Sequence, residues 1–187
     1  MKLIFALLIA SLPHSHVKSN MQLFKDFHTI YAKADFIAME KLLSSDFVAL
    51  KDDGGVAFPR MEYIDYMKGW NQVFKTKWNV ESVKIVGNSI ISIEYDTDIF
   101  NEYFYGNVKH KIEYTYTFEK GKIKSIQIKT PKESLKSEEI FLERYNKFMT
   151  WVYQNHSNKT KYLGLYDETS SKEIKNLLEL YLRIEKA

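Results

Sequence analysis

The chain has 187 residues, of which 45% are hydrophobic, 27% charged and 15% aromatic, with seven glycines, three prolines and no cysteine. That length suits one domain with an appendage and enough apolar side chains for a core, and the composition argues against disorder and fibrous repeats. Without cysteine, disulfide scaffolds, thiolate zinc sites, iron–sulfur clusters and cysteine nucleophiles are all excluded.

Residues 1–19 read as a secretory signal. Met1-Lys2 is a short positive start, Leu3 to Leu12 an apolar run, and Pro13 a breaker before Val17-Lys18-Ser19, with cleavage expected near Ser19–Asn20. The apolar run is too short to span a bilayer, and no cysteine follows it to carry a lipid anchor. The mature protein is therefore expected to be exported, periplasmic or secreted, with no membrane attachment. Losing Lys2 and Lys18 with the signal lowers the formal net charge from +3 to +1. Only Arg60, Arg144 and Arg183 supply guanidinium groups, and no basic run exists, so nucleic acid is not an expected partner.

Asn20 is placed to cap a first helix with Leu23, Phe24, Phe27, Ile30, Tyr31 and Ala34 on its apolar stripe. Asp35 caps a short second helix carrying Phe36, Met39, Leu42 and Leu43. Phe47 to Leu50 reads as a strand, and Asp52-Asp53-Gly54-Gly55 as the turn of a hairpin returning through Val56-Ala57-Phe58. Pro59 suits the first turn of a third helix with Tyr63, Ile64, Met67, Trp70, Val73 and Phe74 facing inward.

From Trp78 the period changes to two, and strands are expected at 78–86, 89–100, 108–119 and 122–130. His110, Ile112, Tyr114, Tyr116 and Phe118 share one face, as in an antiparallel sheet with helices on one side. Thr130-Pro131-Lys132-Glu133 reads as a capping box opening a helix with Phe141, Tyr145, Phe148, Met149 and Val152. A polar linker from Asn155 to Lys161 leads to a last helix, capped at Ser170, with Ile174, Leu177, Leu178, Tyr181 and Leu182 on one stripe.

Three segments carry a family resemblance: Ala34-Asp35 at the second helix, Leu42-Leu43-Ser44-Ser45-Asp46-Phe47, and the run Tyr116-Thr117-Phe118-Glu119-Lys120-Gly121-Lys122-Ile123. With the order helix, short helix, hairpin, helix and four-strand meander, they resemble the NTF2-like superfamily, whose α+β fold is shared by SnoaL-like proteins and ketosteroid isomerases. The resemblance covers about residues 20–130 and implies a cone, a curved antiparallel sheet wrapped on N-terminal helices with a pocket open at one end. Domain boundaries are expected at 1–19 for the signal, 20–131 for the NTF2-like domain and 132–187 for a helical hairpin packed on it. The resemblance implies no particular reaction, because this fold hosts enzymes, binding domains and assembly modules. Ketosteroid isomerases need a helix-one tyrosine, a carboxylate base and a protonated carboxyl, and the corresponding positions here hold Phe27, Lys51 and Tyr114. Asp52 would replace the base only if the loop slipped, and a turn role suits it better.

No metalloprotease, phosphate-loop, dinucleotide or nucleophile-elbow motif occurs, so neither cofactor nor metal is expected. Asp96 and Asp98 share a strand face, but Ile91, Ile93, Tyr95 and Ile99 on the opposite face place the two aspartates outward, in solvent. His28 and His156 read as structural and solvated. His110, facing inward near Tyr114 and Tyr116, is the candidate for proton transfer, and Tyr114 also for oxyanion donation. Tyr31, Tyr66, Trp70, Trp78, Tyr95, His110, Tyr114 and Tyr116 are the candidate pocket residues, since tyrosine and tryptophan offer an apolar wall with a polar handle. The expected function is an exported domain binding a small apolar or aromatic molecule. The alternatives are an isomerase, dehydratase or cyclase using His110 with a pocket tyrosine, and an interaction module whose partner is a second copy of the chain.

Overall fold

Ser19 accepts from the Gln22 amide at 3.2 Å and so caps α1, Asn20–Ala32. The computed structural model describes residues 19–106, 108–163 and 167–185, so the signal run through Lys18 lies outside the described residues. Asn20, expected to be the cap, instead donates to Asn88 Oδ1 at 2.7 Å and ties the helix start to a strand turn. Asp35 caps α2, Phe36–Leu42, through the Ala38 amide at 3.0 Å. β1, Leu43–Leu50, and β2, Val56–Pro59, form the hairpin, and α3, Arg60–Phe74, follows directly, with Pro59 just outside it.

β3, Lys77–Val86, and β4, Ser89–Thr97, pair antiparallel, with a bulge at Glu81 that bends the edge strand. After α4, Ile99–Tyr105, the chain forms β5, Ile112–Glu119, and β6, Lys122–Lys129. The sheet order is β2-β1-β6-β5-β4-β3. β1 runs parallel to β6, with Ala49 opposite Ile126, so the sheet is mixed where an antiparallel one was expected. A parallel pair needs a long crossover, and everything between β1 and β6 supplies it.

α4 was not anticipated. The expected strand 89–100 stops at Thr97, because Asp98 accepts from the Asn101 amide at 2.8 Å and starts a helix in its place. Gly106 ends that helix at φ +67°, and a Cβ there would lie 3.0 Å from an Arg144 guanidinium nitrogen. The face of β4 is also reversed from expectation. Ile90, Ser92 and Glu94 are buried, whereas Ile91, Ile93 and Tyr95 are only half-covered on the convex side. The helices lie against the first face, which carries Asp96 inward.

At the C-terminal end, Lys132–Ser134 forms a 3₁₀ turn ahead of α5, Leu135–Asn155. The expected capping box does not form, because the Thr130 hydroxyl donates to Glu138 at 2.8 Å rather than engaging Glu133. A second 3₁₀ turn, Ser157–Tyr162, precedes α6, Glu168–Glu185, whose cap is Asp167, accepting from the Ser170 amide and hydroxyl at 2.9 Å. Ser170 therefore lies inside the helix it was expected to cap. None of the described helices is long and apolar enough to cross a membrane.

Two apolar clusters hold the molecule. The first lies between α1, α2, α3 and the sheet, around Phe27, Met39, Phe47 and Tyr116. The second joins the end of α3 to α4, α5 and α6 through Phe74, Phe104, Phe148 and Leu178. Phe148 is fully buried, so Phe148→Ala should cost about 3–5 kcal/mol. Leu142 on the same helix is 56% exposed, and Leu142→Ala should stay within about 0.5 kcal/mol. Denaturant midpoints of the two variants check the contrast.

Candidate functional site

The second cluster leaves a cavity of about 520 Å³ between the sheet and the helices. Tyr66 and Trp70, one turn apart on α3, form one wall, and Phe100 and Tyr105 of α4 another. Phe141 and Tyr145 of α5 and Ile174 of α6 close it from the C-terminal side. Asp96 on β4 and Ile112 and Tyr114 on β5 supply the floor. A smaller cavity of about 130 Å³ adjoins it, sharing Tyr66, Trp70, Asp96 and Tyr114 and adding Tyr31, Tyr63 and Trp78.

Asp96 is the unusual group. Its residue is only partly covered, yet Oδ1 is out of solvent and has no hydrogen-bond partner among the described residues. Burial, then the charges of Asp98 and Glu94, push its carboxyl up to about 8. At neutral pH it holds its proton and can donate a hydrogen bond into the cavity. Donors surround the neighbouring Asp98. Thr76 Oγ1 lies at 2.6 Å, and the Asn101 amide and side chain both at 2.8 Å. Burial and the charge of Asp96 also hold the hydroxyls of Tyr31 and Tyr114 above the usual phenol range.

His110 lies in the segment leading into β5. Its ring stacks on Tyr105 with centroids 4.2 Å apart and planes 4° apart, and Nδ1 is 2.9 Å from Ser137 Oγ on α5. Burial lowers its pKa, against a smaller opposing effect of Glu138, so the ring is neutral at pH 7. The β4–β5 ladder ends at the pair Glu94 and Ile112. Asp96 and His110 lie two residues beyond that pair on the same face, so an acid that keeps its proton and a neutral imidazole border one cavity.

Of the residues expected to line a pocket, Tyr66, Trp70, His110 and Tyr114 border the larger cavity, and Tyr31 and Trp78 the smaller. Tyr116 borders neither. It is fully buried below them, donating to Glu94 Oε1 at 3.1 Å, with His28 Nε2 at 3.4 Å. Tyr95 lies on the outer face of β4, where Lys109 reaches its hydroxyl at 3.2 Å. Asp52 stays in the exposed hairpin turn. Sequence reading missed Asp96, Phe100, Tyr105, Phe141, Tyr145 and Ile174. The Asp98 cap, the spacing of Phe100, Tyr103 and Phe104, and Gly106 were the available signals for α4.

No family model matches the chain, and no curated protein does. Among solved structures, an uncharacterized cystatin fold protein from Novosphingobium aromaticivorans superposes with a TM-score of 0.51 at 14% identity, over 59% of this chain and 97% of its own. That likeness shows a cystatin-like fold. An NTF2-like protein of unknown function from Cytophaga hutchinsonii gives 0.48 at 19% identity, over 63% of this chain and 96% of its own. A cystatin-like fold protein from Methylobium petroleophilum gives 0.48 at 10% identity, over 58% and 72%. At these identities the likeness is one of fold, and chemistry has to come from the site. Among the described residues no group of three or more histidine or carboxylate side chains is placed to hold a metal.

The Asp96 carboxyl has its native pKa above the ordinary value of 3.8, so the folded state holds a proton that the unfolded chain releases between about pH 4 and pH 8. Stability therefore falls as pH rises through that window and levels off above it. Asp96→Asn should remove this fall, on the order of 5 kcal/mol, leaving the variant more stable than wild type at pH 8. Thermal unfolding of both proteins from pH 4 to pH 9 checks it, and parallel curves would count against a buried acid.

Proposed function

We propose that the protein is an exported NTF2-like domain that binds a small, flat, neutral apolar or aromatic molecule in the larger cavity. The observation that carries this reading is the half-covered Asp96 carboxyl bordering an aromatic-walled space of about 520 Å³. A protonated carboxyl at the edge of an apolar space rewards a ligand oxygen that accepts its proton. Aromatic walls favour a flat apolar body, and a neutral carboxyl disfavours neither charge sign as strongly as it rewards a carbonyl or hydroxyl oxygen. Export rests on the leader pattern of Met1 to Ser19.

The probe N-phenyl-1-naphthylamine, which is neutral and brightens in apolar sites, tests the reading. Ile174→Trp fills the cavity from α6 and should weaken probe binding about tenfold or more with little loss of Tm. Equal binding by both proteins would refute a ligand site in this cavity.

An enzymatic reading is favoured by one specific observation, the protonated Asp96 and neutral His110 bordering one cavity. Such a pair suits proton transfer beside a carbonyl, the step shared by isomerases, dehydratases and cyclases. Here Asp96, not Tyr116, takes the acid role beside His110, since Tyr116 is committed to Glu94. Solvent deuterium exchange at the α-carbon of 1-tetralone, followed by NMR, measures it. Catalysed exchange should fall about 10²–10⁴-fold in His110→Ala, and absence of catalysis by wild type would leave binding as the function.

A further inference from the structure

Ser137, near the start of α5, is buried and makes two hydrogen bonds. Its hydroxyl donates to the Ser134 carbonyl oxygen at 2.7 Å and lies 2.9 Å from His110 Nδ1. A serine has one hydroxyl proton, and a carbonyl oxygen can only accept. That proton is committed to Ser134, so Ser137 Oγ faces the imidazole as an acceptor and Nδ1 must carry hydrogen. This holds for the neutral and the protonated ring alike. The lone pair of the neutral ring is therefore on Nε2, which makes no hydrogen bond among the described residues while the ring borders the cavity.

The surroundings hold this arrangement in place. The Ser134 amide donates to the Pro131 carbonyl at 2.9 Å, and Ser134 Oγ accepts from the Lys111 amide at 3.2 Å. The turn before α5 is thus fastened to the backbone next to His110. Tyr105 stacks on the ring and fixes its plane. The polar support comes from α5, while the ring enters from the sheet.

We propose that Ser137 is a positioning residue that holds His110 in its Nδ1–H form, so that bare Nε2 selects a ligand bearing a hydroxyl, as in a phenol or an enol. This rests on the reading of the cavity as a ligand site. An acceptor nitrogen in an aromatic pocket rewards a hydroxyl proton, whereas an ether or carbonyl oxygen sets lone pair against lone pair and leaves Nε2 unsatisfied. The same nitrogen is the one available to take a proton from a bound enol or phenol.

Long-range proton–nitrogen NMR on histidine-labelled protein at pH 8 reads the tautomer directly. Wild type should show a protonated Nδ1 and a bare Nε2 for His110, and an Nε2–H ring would overturn the proposal without any variant. Ser137→Ala should shift the ring toward Nε2–H, and Ser137→Thr should restore the wild-type pattern. Calorimetric titration with 1-naphthol and 1-methoxynaphthalene tests the selection. Wild type and Ser137→Thr should prefer the naphthol by about three- to tenfold, and Ser137→Ala should lose that preference while binding the ether unchanged. Equal binding of both compounds to wild type overturns the proposal and leaves the cavity's ligand role intact. Binding of neither overturns that role and the hydroxyl selection together.

Discussion

The Asp98 carboxylate takes hydrogen bonds from the Asn101 amide, the Asn101 side chain and the Thr76 hydroxyl, and these turn the chain out of the sheet at the end of β4. Without that turn the strand would run on, and Phe100, Phe104 and Tyr105 would alternate across a sheet instead of lining one side of a helix. α4 brings those rings against α5 and α6 and so creates both the second cluster and the wall of the larger cavity. Burial, and after it the charge of this same carboxylate, raises the pKa of Asp96 two residues earlier.

The helices and the meander were legible because their periods are clean. On α3 the buried residues Tyr63, Ile64, Met67, Val73 and Phe74 follow the expected stripe, and on β5 Tyr114, Tyr116 and Phe118 face inward as the alternation implies. β4 was misread because both its faces attract apolar residues. The isoleucines and Tyr95 form the more hydrophobic set, yet Ser92 and Glu94 are buried, with Glu94 Oε1 accepting from the Ser92 and Tyr116 hydroxyls. A buried polar pair inverts the usual signal, since hydrogen bonding replaces hydrophobicity as the reason to face inward. Asp96 was assigned to solvent for the same cause.

The candidate site was half legible. Tyr66, Trp70, His110 and Tyr114 lie on elements whose inward faces follow from local spacing. Phe141, Tyr145, Ile174 and Ser137 enter from helices whose docking depends on contacts across most of the chain, and no local period encodes that. The helical hairpin is therefore more than an appendage to the cone. It contributes the second core, part of the cavity wall and the hydrogen bond that orients the imidazole.

Gly106 gives this architecture an unexpected point of adjustment. Arg144 of α5 fills the space where a side chain at that position would begin, and it also holds the Tyr103 carbonyl at the end of α4. The two helices are spaced by this interlock, and both contribute rings to the cavity. A methyl group at residue 106 would press on the Arg144 guanidinium and strain the left-handed backbone, so the Arg144 tie between α4 and α5 can be loosened from a site that lines no part of the cavity.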